Sequence, residues 1–262
     1  MPAYLLFATP RSGSHLLCEH LAATGRAGCP DEYLSRRWRA CAAQNGIEPL
    51  TSPTAYLRLV VDHFSTANAT FGLKVMWQHF ADLSERLRAE SPEPGGSADL
   101  ADVLASWCGG LRVVWIRRHD KLGQALSYWR AVQTGSWSRY TREDGPLQAD
   151  AQYDFGAIAE LGRTLVEEER TLQGYLAARR LPLHEVWYED LVVDPLEATR
   201  GVLDHLGESW PEELTYPSQR LERQSDALTE EWRTRFVAQL ARGPSAGPVD
   251  GARQVVLTPT PG

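Results

Sequence analysis

The sequence predicts an α/β fold with a parallel central sheet flanked by helices. Three observations carry that expectation. Short apolar runs at Tyr4–Ala8, Phe71–Trp77, Leu111–Arg117 and His184–Tyr188 are bounded by polar or turn residues, the pattern of buried strands. Segments of helical periodicity alternate with them, which implies parallel pairing with helices on both faces. The first run stops at Thr9-Pro10 and passes through a tight polar loop holding one cation, Arg11, into a helix start. Strand, small-residue loop and helix N-terminus together make an anion site, because loop N–H groups and the helix dipole favour negative charge there. Ligands in such folds sit at the C-terminal ends of strands, where this loop lies.

The helices follow in order. Ser14–Thr24 places Leu16, Leu17 and Leu21 on one face, with Gly25 at the expected C-terminal cap. Tyr56, Leu57, Val60, Val61 and Phe64 are at helical spacing and predict one helix inside the otherwise poorly legible stretch 36–70. Asp120–Val132 has Leu122, Ala125, Leu126 and Trp129 on one face, and Phe155–Arg179 is a long helix carrying Glu167, Glu168 and Glu169. Pro195–Leu206 begins with a helix-compatible Pro and ends at Gly207. Thr229–Arg242 closes the ordered part, so one domain is expected over 1–242 and a mobile tail over 243–262.

Composition narrows the function. The chain has 262 residues and a formal net charge of −7, which argues against a general nucleic-acid binder. No apolar run approaches the ~20 residues that span a bilayer, and the N-terminus lacks the basic region and cleavage site of a signal peptide. Cys18, Cys29, Cys41 and Cys108 show no metal-finger spacing, so reduced thiols in a cytoplasmic protein are expected.

Against the nucleotide-binding pattern G-x-x-x-x-G-K-[ST], Gly13 aligns, but Ala8 replaces the first Gly. Ser14 stands where the Lys belongs, and His15 replaces the residue that binds Mg²⁺. The chain keeps a phosphate cradle without the triphosphate–magnesium apparatus. A small-molecule or nucleotide kinase is therefore disfavoured, and a silent binding relative is the third reading.

Pro10-Arg-Ser-Gly-Ser14 resembles the loop by which sulfotransferases grip the 5′-phosphosulfate of 3′-phosphoadenosine 5′-phosphosulfate (PAPS). A second stretch, Ile116 to Arg130, resembles their 3′-phosphate site, with an Arg at a strand end and a Ser in the next helix. Arg118 and Ser127 fit those roles, since a guanidinium makes paired hydrogen bonds to phosphate. Spacing leaves Arg117 and Arg118 both open, and a helical Ser127 bonded to its own backbone is the bland alternative. The run Tyr188-Glu-Asp-Leu…Asp194-Pro is similar to a late strand and helix entry of the family, in which Asp190 and Asp194 are read as caps.

Ala3–Leu17, Gly25–Tyr33, Gly72–Trp77, Gln124–Trp137 and Glu222–Trp232 together resemble the bacterial trehalose 2-sulfotransferase family. That resemblance implies a P-loop-like sulfotransferase fold, PAPS as donor, no metal, a hydroxylated small-molecule acceptor and a homodimer. The cofactor set it implies is Pro10, Arg11, Ser12, Gly13, Ser14, His15, Arg118, Ser127 and Arg223, the last from a late loop covering the nucleotide. His15 is read as a helix-surface residue or, if protonated, a phosphate donor. Glu32, in Pro30-Asp-Glu-Tyr33, inherits the role of catalytic base, with Asp31 as its competitor. Tyr33, Lys74, Gln133 and Thr134 complete the acceptor side. Lys74 interrupts an apolar strand and either meets an anion or reaches water from a sheet edge. Trp77, Trp129 and Trp137 are read as core before stacking platforms. Pro10 stands where the trehalose enzymes have a sugar-contacting Gln, so trehalose itself is in doubt, and a hydroxyl of another carbohydrate, glycolipid or secondary metabolite is expected.

Overall fold

A computed structural model describes residues 2–34, 43, 52–90, 99–137, 151–212 and 227–242. The expected tail and Arg223 lie outside them, as does Cys41. Four strands form one parallel sheet: β1 (Ala3–Ala8), β2 (Phe71–Met76), β3 (Leu111–Arg117) and β4 (Leu183–Trp187), in the order β2-β1-β3-β4. Ala8 lies level with Met76 on one side and Ile116 on the other. The strand C-termini therefore form one edge. The chain steps from β1 to β2 and then crosses to β3 on the far side of β1, so the switch point of the sheet is the end of β1.

Nine helices are described: α1 (Ser14–Ala23), α2 (Pro53–Phe64), α3 (Trp77–Ala89), α4 (Leu100–Trp107), α5 (Lys121–Thr134), α6 (Phe155–Arg179), α7 (Tyr188–Val193), α8 (Pro195–Leu206) and α9 (Ala227–Ala241). Alternation along the strands feeds two cores. Leu5, Phe7, Leu73, Val75, Val113 and Trp115 face α2, α3, α4 and Leu172 and Leu176 of α6. Tyr4, Leu6, Ala8, Val114, Ile116 and Val186 face Leu17 and Leu21 of α1 and Val202, Leu203 and Leu206 of α8. Gly72 is required by this packing: a Cβ there would lie 2.4 Å from Cζ of Tyr4. A third cluster joins α5, α6 and α9 through Ala125, Leu126, Tyr128, Ile158, Leu161, Leu165 and Trp232.

The expected strands and helices are present, with shifted ends. β2 stops at Met76, and Trp77 opens α3 instead of ending the strand; β4 stops at Trp187, and Tyr188 opens α7. Helices α3, α4 and α7 are additions to the sequence expectation. Asp194 does cap α8, accepting the N–H of Glu197 at 3.0 Å. Asp190 does not start a helix; it lies inside α7, its carbonyl accepting the N–H of Asp194. Gly25 takes φ +60 just past α1, as its capping position requires. Cys18, Cys29 and Cys108 are free thiols. No helix among the described residues is long and apolar enough to cross a membrane.

One packed carboxyl has a pH signature. Glu168 of α6 carries a buried Oε2 with no hydrogen-bond partner among the described residues. Burial, reinforced by the neighbouring Glu169, pushes its carboxyl up to about 7. Between the ordinary carboxylate range and about 7 the folded chain holds a proton that the unfolded chain has released. Stability through this group therefore falls as pH rises across that window and stays lower above it. Glu168→Gln should match the wild type near pH 4.5 and exceed it at pH 8 by on the order of 1–3 kcal/mol in denaturant melts. A gap that does not change with pH would contradict this.

Candidate active site

The loop after β1 is built to present N–H groups and cations. Arg11 and Gly13 both adopt left-handed backbone, with φ 62 and 91. Left-handed residues alternating with ordinary ones curl successive N–H groups toward a common centre, an anion-binding concavity. Gly13 is also forced by contact: a Cβ would meet the Tyr188 ring at 2.4 Å. No side chain caps α1, so its first-turn N–H groups point at the same concavity. Ser12 Oγ is buried and without a hydrogen-bond partner among the described residues.

The next strand end completes the concavity. Arg118, just past β3, lies with its guanidinium 4.6 Å over the Tyr188 ring and with Nη1 3.5 Å from the Arg11 carbonyl oxygen. Its Nε is buried and has no hydrogen-bond partner among the described residues. Arg11 donates from Nε to Ser127 Oγ at 2.9 Å and from Nη1 to the Trp137 carbonyl. Ser127 is thus turned to the loop and not onto its own helix. Burial and the nearby Arg118 pull the Arg11 guanidinium down to about 10, which still leaves it charged at neutral pH. Two cations crowding one partly dry concavity are relieved by an anion between them.

The neighbouring Arg117 points elsewhere. It pairs with Glu169 at 3.3 Å and Glu185 at 3.2 Å and lies over the rings of Trp115 and Trp187. Of the two arginines left open by spacing, Arg118 alone joins the loop.

Several braces were not legible. Gln124, fully buried on α5, donates to Thr9 Oγ1 at 2.9 Å and to the Pro10 carbonyl at 2.7 Å, fixing the start of the loop. Glu189 accepts the N–H groups of His119 and Asp120 at 3.1 and 3.2 Å. Tyr188 and Glu189, and not Asp190, are the parts of that motif which touch the site.

The second cluster surrounds Lys74. Although β2 is an edge strand, Lys74 is only 2% exposed. The segment after α1 runs alongside β2, the Asp31 carbonyl accepting the Lys74 N–H at 3.2 Å, and shuts the side chain in. Lys74 Nζ meets Glu32 at 2.9 Å, His15 Nε2 at 3.3 Å and Asp31 at 3.7 Å. Burial pulls the ammonium down, but Glu32, Cys18 and Asp31 together outweigh it and the net shift is upward. Burial and Lys74 lower the His15 imidazole to about 4, so the ring is neutral at physiological pH and accepts from Lys74. The protonated form of His15 is therefore not the state near pH 7. Asp31 Oδ1 is engaged by the Glu32 N–H at 2.7 Å. Glu32 has one oxygen on Lys74, and its side chain remains 31% exposed.

Three expected acceptor residues have other work. Tyr33 is buried, stacked on Phe64 at 4.0 Å, with its hydroxyl on the Cys29 carbonyl at 2.5 Å. It is a core residue, because the turn after Glu32 carries it inward. Gln133 is tied at both ends of its amide to the backbone of Gln152, and Thr134 bonds the Arg130 carbonyl where α5 ends. Of the three tryptophans, Trp77 packs against the core with Nε1 on Thr171 Oγ1, Trp129 donates to the Gln152 carbonyl, and Trp137 is 46% exposed beside Tyr128.

The family model described as Stf0 sulphotransferase matches residues 3–239. The chain belongs to the Stf0 sulphotransferase family. Trehalose 2-sulfotransferase of Mycobacterium tuberculosis is 32% identical over 265 residues, covering 91% of this chain and 96% of that protein. Trehalose 2-sulfotransferase of Mycolicibacterium smegmatis is 31% identical over 256 residues, covering 89% and 94%. Among solved structures, a sulfotransferase from Alicyclobacillus acidocaldarius aligns over 92% of this chain and 94% of its own at 14% identity, with a TM-score of 0.48. As an Stf0 member the chain is a transferase whose parallel sheet is flanked by helices, and the sequence expectation of family and fold stands.

Proposed function

We propose that this Stf0 sulphotransferase moves a sulfuryl group from PAPS to a hydroxyl of a carbohydrate, glycolipid or secondary metabolite. One observation carries the donor assignment: Arg11 and Arg118 converge on a single concavity at the end of β1, where Ser12 Oγ and Arg118 Nε have no hydrogen-bond partner among the described residues. A ligand with phosphate oxygens at both ends pairs with both guanidinium groups and with the N–H groups of the loop. Gly13, at φ +91, lets the Tyr188 ring pack directly on the loop backbone and so fixes the loop next to Arg118. The residues therefore fit the donor.

Bound there, PAPS supplies an activated sulfuryl group and a phosphate leaving group. Arg11, the loop N–H groups and the hydroxyls of Ser12 and Ser14 take up charge at the 5′ end, and Arg118 with Ser127 holds the 3′-phosphate. Glu32 accepts the proton of the acceptor hydroxyl, which is a poor nucleophile at neutral pH without a base in reach. Lys74 fixes the Glu32 carboxylate, and His15 ties that pair to the first turn of α1.

3′-Phosphoadenosine 5′-phosphate (PAP) in the presence of EDTA should raise the melting temperature by about 5–10 °C at a hundred times Kd. No rise at saturating PAP would overturn the donor assignment. Pro10 offers the acceptor no side-chain donor and its carbonyl is held by Gln124, so trehalose should be a poor substrate in a mass-spectrometric screen of hydroxylated acceptors with PAPS. Efficient transfer to trehalose would contradict this.

A further inference from the structure

Asp120 stands between two guanidinium groups at the rim of the donor concavity. Arg233 of α9 binds it with both terminal nitrogens, Nη2 to Oδ2 at 2.5 Å and Nη1 to Oδ1 at 3.1 Å. Arg118 Nη2 lies 3.6 Å from the same Oδ2. Asp120 Oδ1 also accepts the Gly123 N–H at 2.9 Å, capping α5. The groups are packed so closely over Gly123 that a Cβ there would lie 2.0 Å from Asp120 Oδ2, 2.6 Å from Arg233 Nη2 and 2.8 Å from Arg118 Nη2. The position of Arg233 is set by its neighbour Trp232, which is buried among Ala125, Leu126 and Ile158 where α9 meets α5 and α6.

The other groups facing this cluster are few among the described residues. Glu230 lies 3.8 Å from Arg233 Nε, the Glu189 carboxylate is held by two backbone N–H groups, and the Tyr188 ring lies under Arg118. Burial pushes the Asp120 carboxyl up, but the Arg233 hydrogen bonds, the Gly123 N–H and the charges of Arg233 and Arg118 together outweigh it, so Asp120 is an anion at neutral pH. One carboxylate between two cations leaves a single positive charge. The closer, two-pronged partner is Arg233, so the surplus charge stays on Arg118. Were Arg233 absent, Arg118 would be the nearest cation to Asp120 and would close the remaining gap. Its charge would then be cancelled by the carboxylate and withheld from any incoming anion.

We propose that Arg233 is a positioning residue for the donor site: by holding Asp120, it keeps Arg118 free to bind the 3′-phosphate of the nucleotide. This rests on the assignment of Arg118 given above, and the test separates the two.

The experiment measures the affinity of the full chain for PAP and for adenosine 5′-phosphate, which lacks the 3′-phosphate, by titration calorimetry. Arg233→Met should weaken PAP by about tenfold, the scale of one charge-assisted hydrogen bond, and leave adenosine 5′-phosphate within about twofold. Adding Asp120→Asn should restore the preference, because Asn caps a helix about as well as Asp and has no charge with which to capture Arg118. Arg233→Lys, which keeps a cation beside Asp120, should hold the preference within about threefold. A role of Arg233 in packing alone would weaken both nucleotides together and would not respond to Asp120→Asn. Either result, or an unchanged preference in Arg233→Met, overturns the proposal. Arg118→Met is the separating arm. Loss of preference there with retention in Arg233→Met sinks only the role of Arg233. Retention in Arg118→Met overturns the Arg118 assignment and this inference with it.

Discussion

Glu32→Gln should bind PAP within about twofold of the wild type and lose turnover by about 10²–10⁴, the range for a positioned general base. The substitution keeps shape and hydrogen bonding but removes the proton acceptor. It spares the donor concavity, because Glu32 touches Lys74 and not the loop cations. Lys74 retains Asp31 at 3.7 Å and the neutral His15 at 3.3 Å, so the buried ammonium is not stranded. Single-turnover rates under saturating donor and acceptor, with PAP calorimetry in parallel, separate the two effects. Unchanged turnover would remove Glu32 from the reaction, and Asp31→Asn would then be the informative comparison.

Arg11→Ala should lower turnover by about 10²–10³, the usual cost of one preorganised donor at a site of developing charge, and should weaken PAP as well. Arg11 joins the loop to α5 alongside Gln124: its removal also leaves Ser127 Oγ without that donor and takes one donor from the Trp137 carbonyl. Arg11→Lys should recover most of the nucleotide affinity, since a cation is retained. Its turnover should stay below that of the wild type, because one ammonium on a flexible stem does not reproduce the fork that reaches both Ser127 and Trp137. Turnover of Arg11→Ala equal to the wild type would refute a role for this side chain in the transition state.

Strands β1, β2 and β3 were legible because each is a short, mostly apolar run covered on both faces, which makes burial visible in one dimension; β4, Leu-His-Glu-Val-Trp, is largely uncovered at the sheet edge and buries only Val186. The helices that begin directly at strand ends were not legible. α3 opens at Trp77 without a turn residue or side-chain cap, so the apolar run of β2 reads straight through its start. α4 does carry a signal, the reciprocal bonds of Asp99 and Asp102, but in aspartates and not in the commoner Ser/Thr-to-Glu form. Arg11 and Arg118 were legible as local motifs after strand ends. The surroundings of Lys74 were not, since edge strands ordinarily let a lysine reach water. What closes Lys74 in is a segment some 40 residues earlier in the chain, bonded through the Asp31 carbonyl. The same is true of Gln124, whose partners Thr9 and Pro10 are more than 100 residues away. The burial of Tyr33 was not legible either, because a turn carries it inward beside the partly exposed Glu32.

Helix α1 begins at the loop after β1, and the chain leaving its far end doubles back until Glu32, through Lys74, touches His15 in the opening turn. The loop and the carboxylate are thus yoked by the Glu32–Lys74–His15 chain of contacts. On the proposed function, a shift of β2 or of the start of α1 would carry both together, while the outer walls stay free to vary with the acceptor.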